Sequence, residues 1–288
     1  MATRFGRFRL IERLGGGAGP GGVYRAHDTE AGRTVALRLL APPPDDPGRV
    51  DSLVADARAA STLSHPGIVA LFDVGEVDGQ WFVASEFVDG EPLDCLMAGR
   101  PLSLRRALHI GVALADALAY AHACRFVHRD LRPGTVLQSR RGHPRIRDFG
   151  LARATPGGRL RHLLAADPGT VDPLAHAVAP FMSPEQVLGA AGDCRADIYA
   201  LGAVLYQMLT GREPYGQRTP AETLVSILKD RPLAPSRFCR SLPEAVDRIV
   251  MECLTLDPAA RPDDAAAIER GLDAALANLG SDTSAPGS

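Results

Sequence analysis

His128-Arg129-Asp130-Leu131-Arg132-Pro133-Gly134-Thr135 is followed further along the chain by Asp148-Phe149-Gly150. A lone aspartate is usually a helix cap or a surface charge. Two aspartates in these two settings, and in this order, point instead to carboxylates that take part in chemistry. Asp130 and Asp148 are therefore the leading candidates for catalytic residues.

Single tripeptides arise by chance. Stronger support comes from further segments that occur in a fixed order along the chain. These segments are Val35-Ala36-Leu37-Arg38, His65-Pro66-Gly67-Ile68-Val69, Ser183-Pro184-Glu185-Gln186, Asp193-Cys194-Arg195-Ala196-Asp197-Ile198-Tyr199 and Asp257-Pro258-Ala259-Ala260-Arg261-Pro262. Together they resemble the catalytic domain of bacterial serine/threonine protein kinases of the eukaryotic-like, Hanks type, with degenerate motifs as in some pseudokinases. The resemblance runs from about Phe8 to about Leu279.

Composition excludes several other classes of protein. With 288 residues, 45% hydrophobic and 23% charged, the chain can form one large domain or two lobes. A net charge of −2 indicates no excess of positive charge for binding nucleic acid. Five widely spaced cysteines argue against a disulfide framework and favour a reducing cytoplasm. The most apolar stretches, 111–121 and 198–205, are too short to span a bilayer and are predicted to be buried helices.

Periodicity predicts an α+β, bilobal arrangement. Short β-branched or aromatic runs predict a small antiparallel sheet, one helix is expected at 49–64, and apolar residues at helical spacing begin at Leu104 behind Ser103 as N-cap. The predicted strands are 7–14, 23–28, 34–40, 68–74 and 80–87. We expect a β-rich lobe over residues 1–88, a helical lobe over 89–279 and a flexible tail over 280–288, with ATP bound between the lobes as in the family.

The resemblance implies a role for each residue of the catalytic motifs. Asp130 would accept the proton of the attacking hydroxyl, and Arg132 would offer positive charge to the transferred phosphoryl group. Asp148 would hold Mg²⁺, or Mn²⁺ in its place, with Thr135 as a second ligand where the family has Asn. The remaining pair is Arg38 and Asp56, which stand where the family has Lys and Glu. Because Arg is longer and Asp shorter, these two could still close an ion pair; alternatively, Asp56 is an ordinary solvated helix residue.

The nucleotide site is expected around a glycine-rich turn and the hinge between the lobes. The family pattern places Gly16 and Gly21 in register but puts Ala18 at the middle glycine, so a merely flexible hairpin is the alternative. Ser85 is a small residue at the gatekeeper position, which predicts room behind the adenine. The expected ATP-binding residues are Gly15, Gly16, Gly17, Gly21, Val23, Ala36, Arg38, Ser85, Glu86, Val88 and Leu137.

Regulatory and structural residues follow from the same resemblance. Arg129 adjoins the catalytic aspartate and could receive a phosphate on Thr170 or Thr155, although an unmodified loop is equally compatible with the sequence. Val178 replaces a threonine that contacts the catalytic aspartate in the family. Glu185, Asp197 and Arg261 are expected to be structural, with Arg261 pairing with Glu185.

The function predicted from the sequence is a cytoplasmic serine/threonine protein kinase of weak activity that uses ATP and acts on a protein substrate. The alternative is a pseudokinase that binds ATP, or no nucleotide, and regulates a signalling partner. No nucleic acid partner and no membrane span in this chain are expected, and a dimer is left open. A small-molecule kinase is disfavoured because Ser183-Pro184-Glu185 and the following helices resemble protein kinases.

Overall fold

The computed structural model describes residues 3–15, 22–40, 47–151, 173–216 and 219–281. The first part of the chain forms a six-stranded antiparallel sheet in the order β1-β2-β3-β4-β6-β5. Its strands are β1 (Arg4–Phe5), β2 (Phe8–Gly15), β3 (Gly22–Asp28), β4 (Arg33–Leu39), β5 (Leu71–Val77) and β6 (Gln80–Glu86). Alternation along β4 buries Val35 and Leu37 on one face of the sheet.

Helix α1 (Pro47–Ala60) is the single helix of this lobe among the described residues. Its residues Val54 and Ala57 are buried in a cluster with Val74 of β5 and Val83 of β6. The helix is thereby fixed against the sheet, with its last turn close to the segment that follows Ile146.

The larger lobe is mainly helical. Its helices are α2 (Leu93–Met97), α3 (Leu104–Ala123), α4 (Pro173–Val178), α5 (Pro184–Val187), α6 (Cys194–Thr210), α7 (Pro220–Lys229), α8 (Glu244–Cys253) and α9 (Ala265–Ser281). A second, three-stranded sheet consists of β7 (Gly90–Pro92), β8 (Val136–Ser139) and β9 (Pro144–Ile146). Helix α6 is buried at nearly every position, and α3 and α9 pack beside it in one hydrophobic core.

The α+β bilobal arrangement predicted from the sequence is confirmed. The apolar stretches 111–121 and 198–205 lie inside the buried helices α3 and α6, as predicted. The strand expected at 68–74 begins only at Leu71. The residues before it pair instead with β9 of the other lobe, since the Val69 amide donates to the Ile146 carbonyl and the Ile146 amide to that of Gly67, both at 2.8 Å.

Three smaller differences concern element ends. Helix α1 begins and ends a few residues before the predicted 49–64. Ser103 does precede α3, but its side chain makes no capping hydrogen bond. Helix α9 continues to Ser281, two residues into the predicted tail, and the rest of that tail lies outside the described residues. Within the described part of the chain, no helix is long and apolar enough to cross a bilayer.

Candidate active site

A cleft of about 500 Å³ runs between the six-stranded sheet and the helical lobe, within the usual size range of ligand sites. Nine of the sequence-predicted residues line it: Gly15, Val23, Ala36, Arg38, Ser85, Glu86, Val88, Leu137 and Asp148. The cleft therefore gathers residues that lie more than a hundred positions apart in the chain. The predicted Gly16, Gly17 and Gly21 lie outside the described residues.

The cleft continues behind Ser85, where Ala60, Val83 and Phe149 also line it. The Ser85 hydroxyl faces the Ala36 carbonyl at 3.5 Å. Because the side chain at this position is small, space remains between the hinge and helix α1. That this space lies behind a bound adenine stays a prediction.

The loop that carries Asp130 is held by a buried carboxylate on helix α6. Asp197 is fully buried, and its two oxygens accept hydrogen bonds from the backbone amides of His128 and Arg129, both at 2.7 Å. Its Oδ2 also lies 2.8 Å from Nε2 of His122. A carboxylate engaged in this way fixes the backbone directly before Asp130.

His128 joins this loop to the Asp148 segment. Its ring packs edge-to-face on Phe149, with centroids 4.7 Å apart, and its Nε2 lies 2.8 Å from the Arg147 carbonyl. Its Nδ1 accepts from the Asp130 amide at 3.1 Å. The buried imidazole of His128 therefore fixes the backbone at Asp130 and next to Asp148.

Two of these residues have left-handed backbone conformations: Arg129 at φ 64° and Asp148 at φ 74°. Such values are uncommon for residues other than glycine and cluster at functional sites, where surrounding contacts maintain them. Gly150, at φ 75°, lies so close to helix α1 that a Cβ would meet the Asp56 carbonyl oxygen at 2.6 Å. Only glycine fits there.

Asp130 is paired with the arginine two residues later. Its Oδ1 lies 3.5 Å from Nε of Arg132, and the two side chains are only 8% and 16% exposed. The Arg132 guanidinium lies over Gly134, whose Cβ, if present, would meet Nη1 at 2.4 Å. A glycine at 134 thus permits Arg132 to pack beside Asp130.

The prediction of an ion pair between Arg38 and Asp56 is wrong. Nη2 of Arg38 donates instead to Oδ2 of Asp148 at 2.8 Å. Asp56 borders a different, smaller cavity, together with Gly150 and the segment 125–129. The physical reason is reach: the long side chain of Arg38 on β4 extends to the carboxylate of Asp148.

Arg147 is a site residue that the sequence reasoning missed. Its Nη2 donates to the Gly134 carbonyl at 2.8 Å, its Nε lies 3.8 Å from Oδ2 of Asp148, and it lines the cleft. Burial lowers the pKa of Arg147, opposed by the charge of Asp148. A charged residue directly after the short strand β9, and directly before Asp148, was the signal that could have identified it.

Two guanidiniums therefore act on one carboxylate. Burial alone would raise the pKa of Asp148, but the charges of Arg38 and Arg147 outweigh it and lower that pKa below its ordinary value. Asp148 is thus ionised at neutral pH and already partly neutralised by protein groups.

Thr135 as a metal ligand also requires correction. Its side chain is fully buried, and its hydroxyl bonds to the loop itself: it accepts from the Arg132 amide at 3.0 Å, and its single proton has two carbonyls in reach, those of Arg132 at 2.9 Å and Asp130 at 3.1 Å. The tight 3-10 turn Pro133–Thr135 directs the short side chain back onto its own backbone. The pair of oxygen ligands expected for Mg²⁺ or Mn²⁺ therefore does not fit, because the Thr135 hydroxyl is engaged within its loop and Oδ2 of Asp148 faces two arginine guanidiniums.

The helical lobe contains a second charged pair far from Asp148. Arg261 is fully buried in its side chain and donates to both carboxylate oxygens of Glu185 at 2.8 Å. It also donates to backbone carbonyls, among them Thr255 at 2.9 Å, and lies over the Tyr199 ring. Burial opposes but does not prevent the lowering of the Glu185 pKa by Arg261.

The remaining predicted residues have mixed outcomes. The Glu86 carboxylate is taken up by an ion pair with Arg145, which the sequence reasoning did not identify. Val178 is buried and carries no hydroxyl to bond Asp130. Arg129 donates to the Gly192 carbonyl at 3.1 Å, and the predicted phosphorylation positions Thr155 and Thr170 lie outside the described residues.

The chain is similar to known proteins. Residues 8–270 match the protein kinase domain family. The chain is 36% identical over 278 residues to a probable serine/threonine-protein kinase of Streptomyces coelicolor, which covers 94% of this chain and 40% of that protein. It is 32% identical over 273 residues to the serine/threonine-protein kinase PrkC of Bacillus subtilis, covering 94% and 41%. The chain thus spans less than half of either relative.

A solved structure shows the same fold. The kinase domain of Mycobacterium tuberculosis PknI matches with a TM-score of 0.74 at 26% sequence identity, covering 95% of this chain and 98% of that one.

Proposed function

Because this chain belongs to the protein kinase family, we propose that it transfers the γ-phosphoryl group of ATP to a serine or threonine hydroxyl of a protein, at a reduced rate. The observation that carries the proposal is the fixed position of Asp130. The Asp197 carboxylate accepts from the backbone amides just before Asp130, and the His128 imidazole accepts from the amide of Asp130 itself.

The cleft supplies a place for ATP. Val23 and Ala36 from the sheet and Leu137 from the helical lobe can enclose an adenine, and the backbone from Glu86 to Val88 can bond its polar edge. Arg38 then stands on the side of Asp148, where the phosphate groups would lie.

In the proposed reaction, Asp130 accepts the proton of the incoming serine or threonine hydroxyl. The hydroxyl oxygen forms a bond to the γ-phosphorus as the bond from that phosphorus to the bridging oxygen of ADP breaks. Arg132, beside Asp130, stabilises negative charge on the transferred group. We route no step through a metal ion, because the expected ligand pair does not fit.

The reduced rate follows from contacts that differ from the family pattern. Losing one preorganised electrostatic contact slows catalysis by about 10²- to 10³-fold, against typical kinase turnover of about 1 to 100 per second. One such loss gives a turnover of roughly 10⁻³ to 1 per second, and a second loss lowers it further.

A second function is favoured by the Arg38 to Asp148 ion pair and by the engaged hydroxyl of Thr135. Both contacts occupy groups that stand at the metal-ligand positions of the family. A protein of this kind would bind nucleotide and regulate a signalling partner without transferring phosphate.

Transfer of label from γ-labelled ATP to the chain itself or to a basic protein distinguishes the two functions. Wild type should incorporate label on serine or threonine, and Asp130→Asn should lose it. Asp78→Asn is the matched control, since Asp78 is exposed in a turn with positive φ, where Asn is equally acceptable. Absence of label with wild type, or equal label with Asp130→Asn, would refute the kinase assignment.

A further inference from the structure

Asp148 sits between two arginines that both line the cleft. Arg38 extends from strand β4, and its Nη2 lies 2.8 Å from Oδ2 of Asp148. Arg147 directly precedes Asp148 in the chain, and its Nε lies 3.8 Å from the same oxygen. The three side chains are 16% to 29% exposed, so water screens them only in part. The group carries a net charge of +1.

The guanidinium of Arg147 is held in place by the catalytic loop. Its Nε and Nη2 donate to the Gly134 carbonyl at 3.3 and 2.8 Å, and its backbone amide donates to the Thr135 carbonyl at 2.9 Å. A planar guanidinium fixed at one edge presents its charge in one direction, which suits phosphate oxygens better than a mobile ammonium does.

We propose that Arg38 and Arg147 hold the phosphate groups of the bound nucleotide directly, so that ATP binds nearly as tightly without a divalent cation as with one. The inference rests on the nucleotide binding of the proposed function, and it deepens that function by naming the groups that neutralise the phosphates.

The alternative, a cation on Asp148, meets two obstacles. Both arginines contact Oδ2, so a divalent ion at that oxygen would have to displace the 2.8 Å contact from Arg38, and an ion at Oδ1 would still lie close to two positive groups. Thr135 offers no compensation, because its hydroxyl already makes three contacts within the loop. A phosphate group, by contrast, is attracted by the same two arginines.

Titration calorimetry of the wild-type chain with ATP, once in excess EDTA and once in excess Mg²⁺, tests the proposal. The two dissociation constants should agree within about threefold. Binding that weakens by more than about tenfold in EDTA would overturn this inference alone and leave the kinase assignment standing. If ATP binds neither in EDTA nor in Mg²⁺, both this inference and the kinase assignment are overturned.

Substitution of Arg147 identifies the residue responsible. Arg147→Met should weaken ATP binding in EDTA by about tenfold or more, because a charge-assisted contact is lost, and Arg147→Lys should recover part of it. Arg248→Met is the matched control, since Arg248 is 69% exposed on α8 and far from the cleft in sequence.

Unchanged binding of Arg147→Met in EDTA would contradict the assignment to Arg147. Far-ultraviolet circular dichroism checks that each variant is folded. Should Arg147→Met not fold, the comparison of wild type in EDTA and Mg²⁺ still decides the proposal.

Discussion

Asp197→Ala and Asp197→Asn should damage both stability and phosphoryl transfer. The wild-type carboxylate is fully buried and accepts from two backbone amides at 2.7 Å, with His122 at 2.8 Å. The Ala variant leaves both amides of residues 128 and 129 without an acceptor. The Asn variant keeps one oxygen but turns an NH₂ group toward the other amide.

The magnitude follows from the number of groups left unpaired. Each buried donor without a partner costs about 1 to 3 kcal/mol, so the Ala variant should lose about 4 kcal/mol of unfolding free energy and the Asn variant about 2 kcal/mol. Since domains have a net stability of about 5 to 15 kcal/mol, both variants should remain folded at low temperature.

Urea denaturation measures the loss of stability, and a labelled-ATP assay well below the unfolding midpoint measures function. We expect kcat to fall while the KM for ATP changes little, because the loop moves and the adenine cleft does not. Asp193→Asn is the matched control: Asp193 is exposed, caps α6 through the Arg195 amide, and Asn caps equally well. An Asp197→Asn variant as stable and active as wild type would refute this role.

Three further substitutions test the Glu185 ion pair, the space beside Ser85 and the role of Thr135. Because Arg261 lowers the pKa of Glu185, the contribution of Glu185 to stability is present above its ordinary pKa of 4.5 and is lost as the pH falls through the lowered value. The stability difference between wild type and Glu185→Gln, measured in urea, should therefore shrink in acid; a difference independent of pH would contradict this. Ser85→Met should fill the space behind the hinge and weaken competition of an ATP analogue with a bulky N6 substituent by about tenfold or more, whereas equal competition would show that the space is not used. Thr135→Val should cost about 1 to 2 kcal/mol in urea denaturation and leave the effect of Mg²⁺ on ATP binding unchanged, and an altered effect would restore Thr135 as a metal ligand.

The sequence predicted those parts of the molecule that depend on the order of segments. The two lobes, the buried helices and the meeting of residues from Val23 to Asp148 in one cleft all follow from patterns along the chain. The same holds for the contact between Glu185 and Arg261, which joins two segments that the resemblance had paired.

The partner of a long side chain could not be predicted in the same way. Arg38 can reach more than one carboxylate, and the choice of Asp148 over Asp56 depends on distances between β4, helix α1 and the segment after β9. Thr135 posed a similar problem, because a hydroxyl that could face a metal faces its own loop once the turn is tight. The sequence marks Arg147 by its place directly before Asp148, but the contact that holds its side chain is made to the Gly134 carbonyl, a backbone group that no side-chain pattern reveals.

A crystal structure of the chain with a non-hydrolysable ATP analogue tests the central claim most directly. The adenine should lie between Ala36 and Leu137 and the phosphate oxygens within hydrogen-bond reach of Arg38, with the terminal phosphate facing the side of Asp130. An analogue bound elsewhere, or one whose phosphate oxygens lie out of reach of Arg38 at saturating concentration, would contradict this binding mode.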